Sequence, residues 1–85
     1  MITSEQIRAA RALIRWPAAE LALRSGIGHA TIKRIEAMTG LPNGQMRTLA
    51  AIQVTLESAG IEFIGTPDEN PGVRLRTPPK PELHP

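Results

Sequence analysis

Apolar residues recur at intervals of three and four along the first sixty residues, the spacing that places them on one face of an α-helix. The most regular series is Met46, Leu49, Ile52, Leu56 and Ala59. Gly60 follows it in the position of a typical helix-ending glycine. The pattern predicts four helices, at about residues 4–15, 17–24 and 28–37, with the last one ending before residue 60.

Capping and turn-forming residues mark the ends of these helices. Thr3, followed three residues later by Gln6, has the spacing of a capping box at the first helix. Pro17 suits the first turn of the second helix, because its fixed φ is already helical. Gly26 indicates a turn, and residues 38–44, with two glycines and a proline, indicate a loop.

Beyond residue 60 the spacing of apolar residues changes to two, which is typical of β-strands. Residues 61–64 and 73–76 mostly alternate apolar and charged side chains, and residues 65–72 between them are rich in turn formers. We therefore expect a β-hairpin. Its apolar face would hold Ile61, Phe63, Val73 and Leu75. Its charged face would hold Glu62, Arg74 and Arg76.

A two-stranded hairpin is marginal alone, so its apolar face must pack on another surface. Two partners are open: the chain's own fourth helix, or a second subunit. Because residues 1–60 already make a domain-sized helical unit, we expect the hairpin at 61–76 to be the dimerisation element, acting through its four apolar residues. Residues 77–85 include four prolines and are expected to form an extended, disordered tail.

Composition narrows the class of protein. The chain has 85 residues, enough for one modest domain, and no cysteine, so it can form neither a disulfide nor a thiolate metal site. It has no run of 18 apolar residues, and its N-terminus lacks the apolar stretch of a signal peptide. We therefore expect a cytoplasmic protein that makes no membrane contact.

The net charge of +2 is unevenly distributed. Seven basic and three acidic side chains lie in the first 47 residues, whereas three basic and five acidic side chains follow. A positive N-terminal half favours a polyanionic partner such as double-stranded DNA.

The stretch between residues 18 and 36 is the most informative for function. Ala22 and Gly26 suit two short helices that cross closely at a tight turn, since alanine is small and glycine accepts a positive φ. The residues that would anchor these helices to the core are Leu21, Ile27, Ile32 and Ile35. The face left free on the second helix holds His29, Ala30, Lys33 and Arg34, with Thr31 beside them. This arrangement is typical of a helix-turn-helix.

Residues 11–36 resemble the λ-repressor-like, Cro/CI-type regulators of the XRE family. The features shared are an Ala-x-x-x-Gly-apolar turn, a following Ile-x-x-Ile-Glu, and an arginine upstream; the resemblance covers about residues 3–60. It implies a mainly α fold, a four-helix λ-repressor-like helix-turn-helix domain, here with a C-terminal β-hairpin. It also implies major-groove recognition of a DNA operator by the third helix.

The resemblance assigns roles to individual residues. The positions that touch base edges are those of His29, Ala30 and Arg34. The positions near phosphates are those of Thr31 and Lys33, together with Asn43, Gly44 and Gln45, which would begin the fourth helix and offer its free N–H groups. Arg47 either approaches a phosphate or is simply exposed. Arg11 and Glu36 match a pair that forms an internal salt bridge in the family.

The chain departs from the family pattern at three positions. Family members usually have Ser, Thr or Asn before the second helix and Gln at its start, where this chain has Pro17 and Ala18. Gly28 replaces the usual Ser or Thr at the start of the third helix, which weakens its cap by a few tenths of a kcal/mol. We therefore expect fewer DNA contacts than is usual.

We expect a sequence-specific transcriptional regulator, a homodimeric repressor without cofactor or metal. An enzyme is disfavoured, because the chain has no cysteine, no Ser–His–acid set at a suitable spacing, and no phosphate-binding glycine loop after a strand. A metal at His29 is disfavoured because no second histidine lies nearby in sequence. The alternative is a protein-binding module on the same fold, an antitoxin or antiactivator that engages a regulatory partner through hairpin or tail. A nonspecific architectural DNA binder would carry more positive charge.

Overall fold

The computed structural model describes residues 1–76, in which four helices are followed by a two-stranded antiparallel hairpin. This coarse architecture is the predicted one. The elements are α1 (Ser4–Ile14), α2 (Ala18–Ser25), α3 (His29–Glu36), α4 (Met46–Ser58), β1 (Ile61–Thr66) and β2 (Glu69–Leu75). The tail predicted at residues 77–85 lies outside the described residues.

The capping box predicted at the start of α1 is confirmed. The Thr3 hydroxyl accepts the N–H of Gln6 at 3.0 Å, and the Thr3 N–H donates to the Gln6 side-chain oxygen at 2.8 Å. The amide nitrogen of the same Gln6 donates to the carbonyls of Ile64 and Gly72, at 3.2 and 2.9 Å. One side chain therefore caps α1 and ties the hairpin to it, a link that helical spacing cannot reveal.

The core is built from aliphatic side chains of all four helices and β1. Its fully buried large members are Ile7, Leu21, Ile32, Ile35, Ile52, Leu56 and Ile61. Trp16 and Phe63 are only partly buried and pack against this cluster. The chain has only one tryptophan, one phenylalanine and no tyrosine, so branched aliphatic side chains fill the core and determine the position of each helix.

The hairpin has longer strands and a tighter turn than predicted. The pairing continues from Ile61↔Leu75 as far as Thr66↔Glu69, with an irregularity between Ile64 and Thr66. Gly65 makes this irregularity possible, because its φ is +74° and the backbone of Asn70 occupies the space that a Cβ would fill. Several of the turn-forming residues of segment 65–72 therefore lie inside the paired strands, and the turn itself is limited to the residues between Thr66 and Glu69.

The apolar face of the hairpin packs on its own protomer. Ile61 is 1% exposed, and Phe63 and Val73 pack half-buried against the core. Contacts run from β1 to α4 and, unexpectedly, from β2 to α1. Leu75, at 43% exposed, is the one residue of this face left largely open. The expectation that the whole face serves dimerisation is therefore corrected, because Ile61 is not accessible to a second subunit.

The opposite face of the hairpin, predicted to be charged, carries a cross-strand ion pair. The Arg74 Nη2 lies 2.5 Å from the Glu62 Oε2, and both side chains are open to solvent. Such an exposed pair contributes little to stability, at most about 1 kcal/mol.

No helix within residues 1–76 is long and apolar enough to cross a membrane.

Candidate nucleic-acid interface

The turn between α2 and α3 depends on Gly26. Its φ is +73°, and its N–H donates to the Ala22 carbonyl at 3.0 Å, closing α2. The Ser25 hydroxyl donates to the Leu21 carbonyl at 2.6 Å, which satisfies another carbonyl at the end of the helix. The chain then needs only two residues before α3 begins at His29. The predicted tight turn is confirmed.

Helix α3 has one buried and one exposed face. Ile32 and Ile35 have no exposed surface, so they fix the helix on the core. His29, Ala30, Lys33 and Arg34 are all exposed, and Thr31 is half-buried beside them. Gly28 precedes the helix with no side-chain cap, as its lack of a side chain dictates.

The loop after α3 lies against the same exposed face. The Arg34 Nη1 donates to the Asn43 carbonyl at 3.4 Å. Helix α4 begins at Met46, so Asn43 and Gly44 belong to the loop, and the expectation that they start the helix is wrong. Gln45 is the N-cap residue but its side chain makes no capping bond, so it does not occupy the first N–H groups of α4.

The N-terminus of α1 anchors that loop. The Ser4 N–H donates to the Gly40 carbonyl at 2.9 Å, and the Gly40 N–H donates to the Glu5 carboxylate at 3.0 Å. Hydrogen bonds from its own N–H and from Gly40 lower the pKa of Glu5 below 4.5. This stabilisation is present above pH 4.5 and is lost as the pH falls through the lowered pKa.

Two arginines of α1 hold the C-terminal end of α3. Arg8 donates to the carbonyls of Glu36 and Met38. Arg11 forms a two-pronged pair with the Glu36 carboxylate, with Nε–Oε2 and Nη2–Oε1 distances of 2.6 and 2.7 Å. Its third nitrogen donates to the Trp16 carbonyl at 2.8 Å. The hydrogen bonds with Glu36 raise the pKa of Arg11. The pair that the resemblance implied is present, and it orients α3.

The segment from residue 26 to residue 47 presents positive charge only. It contains Lys33, Arg34 and Arg47, and its one carboxylate, Glu36, is 7% exposed and neutralised by Arg11. An anion that approaches α3 therefore meets no opposing carboxylate from this segment.

Sequence reasoning missed the residues that position α3 from a distance. Glu5, Arg8 and Gly40 carry no motif, and their roles arise from contacts between residues 28 to 35 positions apart in the chain. Within residues 1–76, no group of histidine, aspartate and glutamate side chains is placed to hold a metal ion.

No protein-family model matches the chain, and none of the curated proteins matches it significantly. Any functional assignment therefore depends on the residues and their geometry.

Proposed function

We propose that the protein is a sequence-specific transcriptional regulator of the λ-repressor-like, Cro/CI type. It acts as a homodimer that binds double-stranded DNA and reads the major groove with α3. One observation carries the proposal: α3 is fixed to the core along one side while its other side presents small, polar and basic side chains to solvent. An α-helix that projects in this way fits the width of the major groove, about 12 Å.

Three exposed side chains of α3 are proposed to touch base edges: His29, Ala30 and Arg34. Arg34 can donate two parallel hydrogen bonds to O6 and N7 of a guanine, which is worth about 1–3 kcal/mol of discrimination. Ala30 offers a methyl group for contact with a thymine methyl. The bond from Arg34 to the Asn43 carbonyl is long and exposed, so it is easily exchanged for a bond to a base.

The phosphate contacts are proposed to come from two places. Thr31 and Lys33 flank the base-reading side chains on α3. Asn43, Gly44 and Gln45 lead into α4, whose first N–H groups point toward the preceding loop and favour an anion. Together they would hold α3 at a fixed depth and register in the groove.

Lys33→Ala is expected to weaken binding to all DNA sequences about equally. Because one phosphate contact is lost, the slope of log affinity against log salt should fall by about 0.9. Fluorescence anisotropy with the DNA upstream of the protein's own gene, and with a scrambled duplex, measures both quantities across a salt series. Arg74→Ala, which removes the same charge from the hairpin, should leave the slope unchanged. An equal change in the two variants would show that Lys33 acts only through net charge.

A second candidate is a protein-binding module, an antitoxin or antiactivator on the same fold. Two observations favour it. Leu23, on α2, is 78% exposed, and Pro17 and Ala18 stand where the family that the chain resembles has a polar cap and a glutamine. The paired replacement Lys33→Glu and Arg34→Glu separates the two functions. If α3 reads DNA, the double variant loses sequence-dependent binding to the upstream DNA. If the protein acts by binding a partner protein at another surface, that partner binding is unchanged in the double variant.

A further inference from the structure

The outward face of α4 is unusual for a helix exposed to solvent. No charged residue occurs between Thr48 and Leu56, and Val54 and Met46 are 59% and 74% exposed. Helical spacing places Ala50 with them on this face. A helix that is apolar on its outer side as well as its inner side is normally covered by another element, and the outer side of α4 exposes Met46, Ala50 and Val54.

The two ends of this face each carry one charged side chain, and the two charges have opposite signs. Arg47 lies on the first turn of α4 and Glu57 on the last, both exposed and on the same side as Val54. Neither forms an ion pair within residues 1–76. Ten residues of helix separate them by about 15 Å, so they do not pair with each other inside one chain.

This pattern is complementary to itself when two α4 helices lie antiparallel. A two-fold axis at the level of Ile52 sets Ala50 of one copy opposite Val54 of the other. It also sets Arg47 opposite Glu57 at both ends, so each copy contributes one half of two ion pairs. A parallel arrangement would bring like charges together. An isologous contact of this kind is what a closed dimer requires.

Two grooves, one on each side of the outer face of α4, also suit the packing of a neighbouring helix. A groove of about 530 Å³ runs along one side and is lined by Trp16, Arg24, Val54 and Ser58, among others. A smaller one of about 130 Å³ on the other side is lined by Met1, Met46 and Ala50 with their neighbours. The small side chains of Ala50 and Ser58 leave room between the ridges for close approach.

We propose that the outer face of α4, defined by Met46, Arg47, Ala50, Val54 and Glu57, is the homodimer interface. Its occupant is α4 of a second copy of this chain, packed antiparallel. The inference deepens the proposed function, since it names the surface that would produce a two-fold operator reader. It replaces the hairpin as the dimerisation element, and it assigns Arg47 to an ion pair between subunits in place of a phosphate.

The test uses the two single charge reversals, Arg47→Glu and Glu57→Arg, in the full chain. Each places like charges opposite each other twice and is expected to abolish the dimer. The mass from sedimentation velocity should fall from twice the chain mass to the single 9.2 kDa chain. Both changes improve the charge complement of the α4 macrodipole, so loss of the dimer cannot be attributed to unfolding. Circular dichroism checks the helix content.

Mixing the two variants supplies the decisive result. In the mixed dimer, the glutamate introduced at position 47 of one chain meets the arginine introduced at position 57 of the other. At the opposite end, the unchanged Arg47 meets the unchanged Glu57. The equimolar mixture should therefore recover the dimer that neither variant forms alone. Leu75→Glu, on the exposed part of the hairpin, should leave the wild-type dimer intact.

Several results would overturn the proposal. They are a monomeric wild-type chain, a dimer that survives both single reversals, a mixture that stays monomeric, and a dimer lost in Leu75→Glu, which would return the interface to the hairpin. Binding to a duplex from the upstream DNA is measured in parallel. Sequence-dependent binding by a monomer would leave the proposed function standing and this interface rejected, whereas a dimer without DNA binding would do the reverse.

Discussion

Replacing Arg11 with alanine is expected to lower the free energy of unfolding by about 2–3 kcal/mol. The replacement leaves the carboxylate of Glu36, 8% exposed in its side chain, without either of its two arginine hydrogen bonds. The Trp16 carbonyl loses a donor at the same time. A buried charge without a partner costs about 3–5 kcal/mol, and the figure is reduced here because water can reach the place of Arg11, whose side chain is 21% exposed.

Urea unfolding at pH 7 measures this loss, and Arg74→Ala is its matched control. That variant removes the same type of side chain from an ion pair in which both arginine nitrogens bond one oxygen of Glu62. The Arg74 and Glu62 side chains are 65% and 36% exposed, so the change in the free energy of unfolding should stay below about 1 kcal/mol. Equal losses in the two variants would contradict a structural role for the Arg11–Glu36 pair. Arg11→Lys should recover only part of the loss, because a lysine cannot make both parallel bonds.

Ile35→Ala is expected to lower the free energy of unfolding by about 3–4 kcal/mol. Its side chain is completely buried in the core cluster, so truncation removes apolar contact and leaves a cavity that the surrounding helices fill only in part. The Ile35 carbonyl also accepts the Ser4 hydroxyl at 2.7 Å, which holds the backbone in place and limits relaxation.

The control for Ile35→Ala is Leu75→Ala on the hairpin, where the leucine is already 43% exposed. This replacement should lower the free energy of unfolding by less than about 1 kcal/mol. Thermal and urea unfolding of both variants give the comparison. A loss below about 1 kcal/mol in Ile35→Ala would show that α3 is held by something other than the core.

The helices were predictable because their signals are local. Apolar spacing, the Thr3–Gln6 capping box and the positive φ of Gly26 each act within a few residues, and all three are found in the structure. The loop predicted at residues 38–44 and the apolar series that begins at Met46 agree with the start of α4, and only the resemblance placed Asn43 and Gly44 inside the helix. Asn43 and Gly44 are weak helix formers, and the first regular apolar contact of that helix is made by Leu49.

The hairpin and the placement of α3 depend on contacts between distant residues, which local signals do not contain. Gly65 and Asn70 have the composition of a loop but serve as a bulge in paired strands. The sequence predicts Gln6 only as a cap, yet its amide also donates to two hairpin carbonyls about 60 residues away. The direction in which the apolar face of the hairpin packs is equally non-local, because both own-chain and between-subunit packing satisfy the same alternation.

The exposed side chains of α3 could be listed from the sequence because burial of Ile32 and Ile35 determines the rest of the helix face. Their function could not be read in the same way. An exposed arginine on a helix is most often simply hydrated, and only its setting within the α2–α3 pair favours a base contact at Arg34.

The most direct test of that contact is selection from a random double-stranded DNA library by the wild-type protein, Arg34→Ala and Arg74→Ala, at two salt concentrations. The wild type and Arg74→Ala are expected to enrich the same site, containing at least one invariant guanine. Arg34→Ala should enrich that site with preference lost at the guanine alone, by about tenfold or more. Failure of the wild type to enrich any sequence, or an unchanged site from Arg34→Ala, would contradict the claim that α3 reads DNA through this arginine.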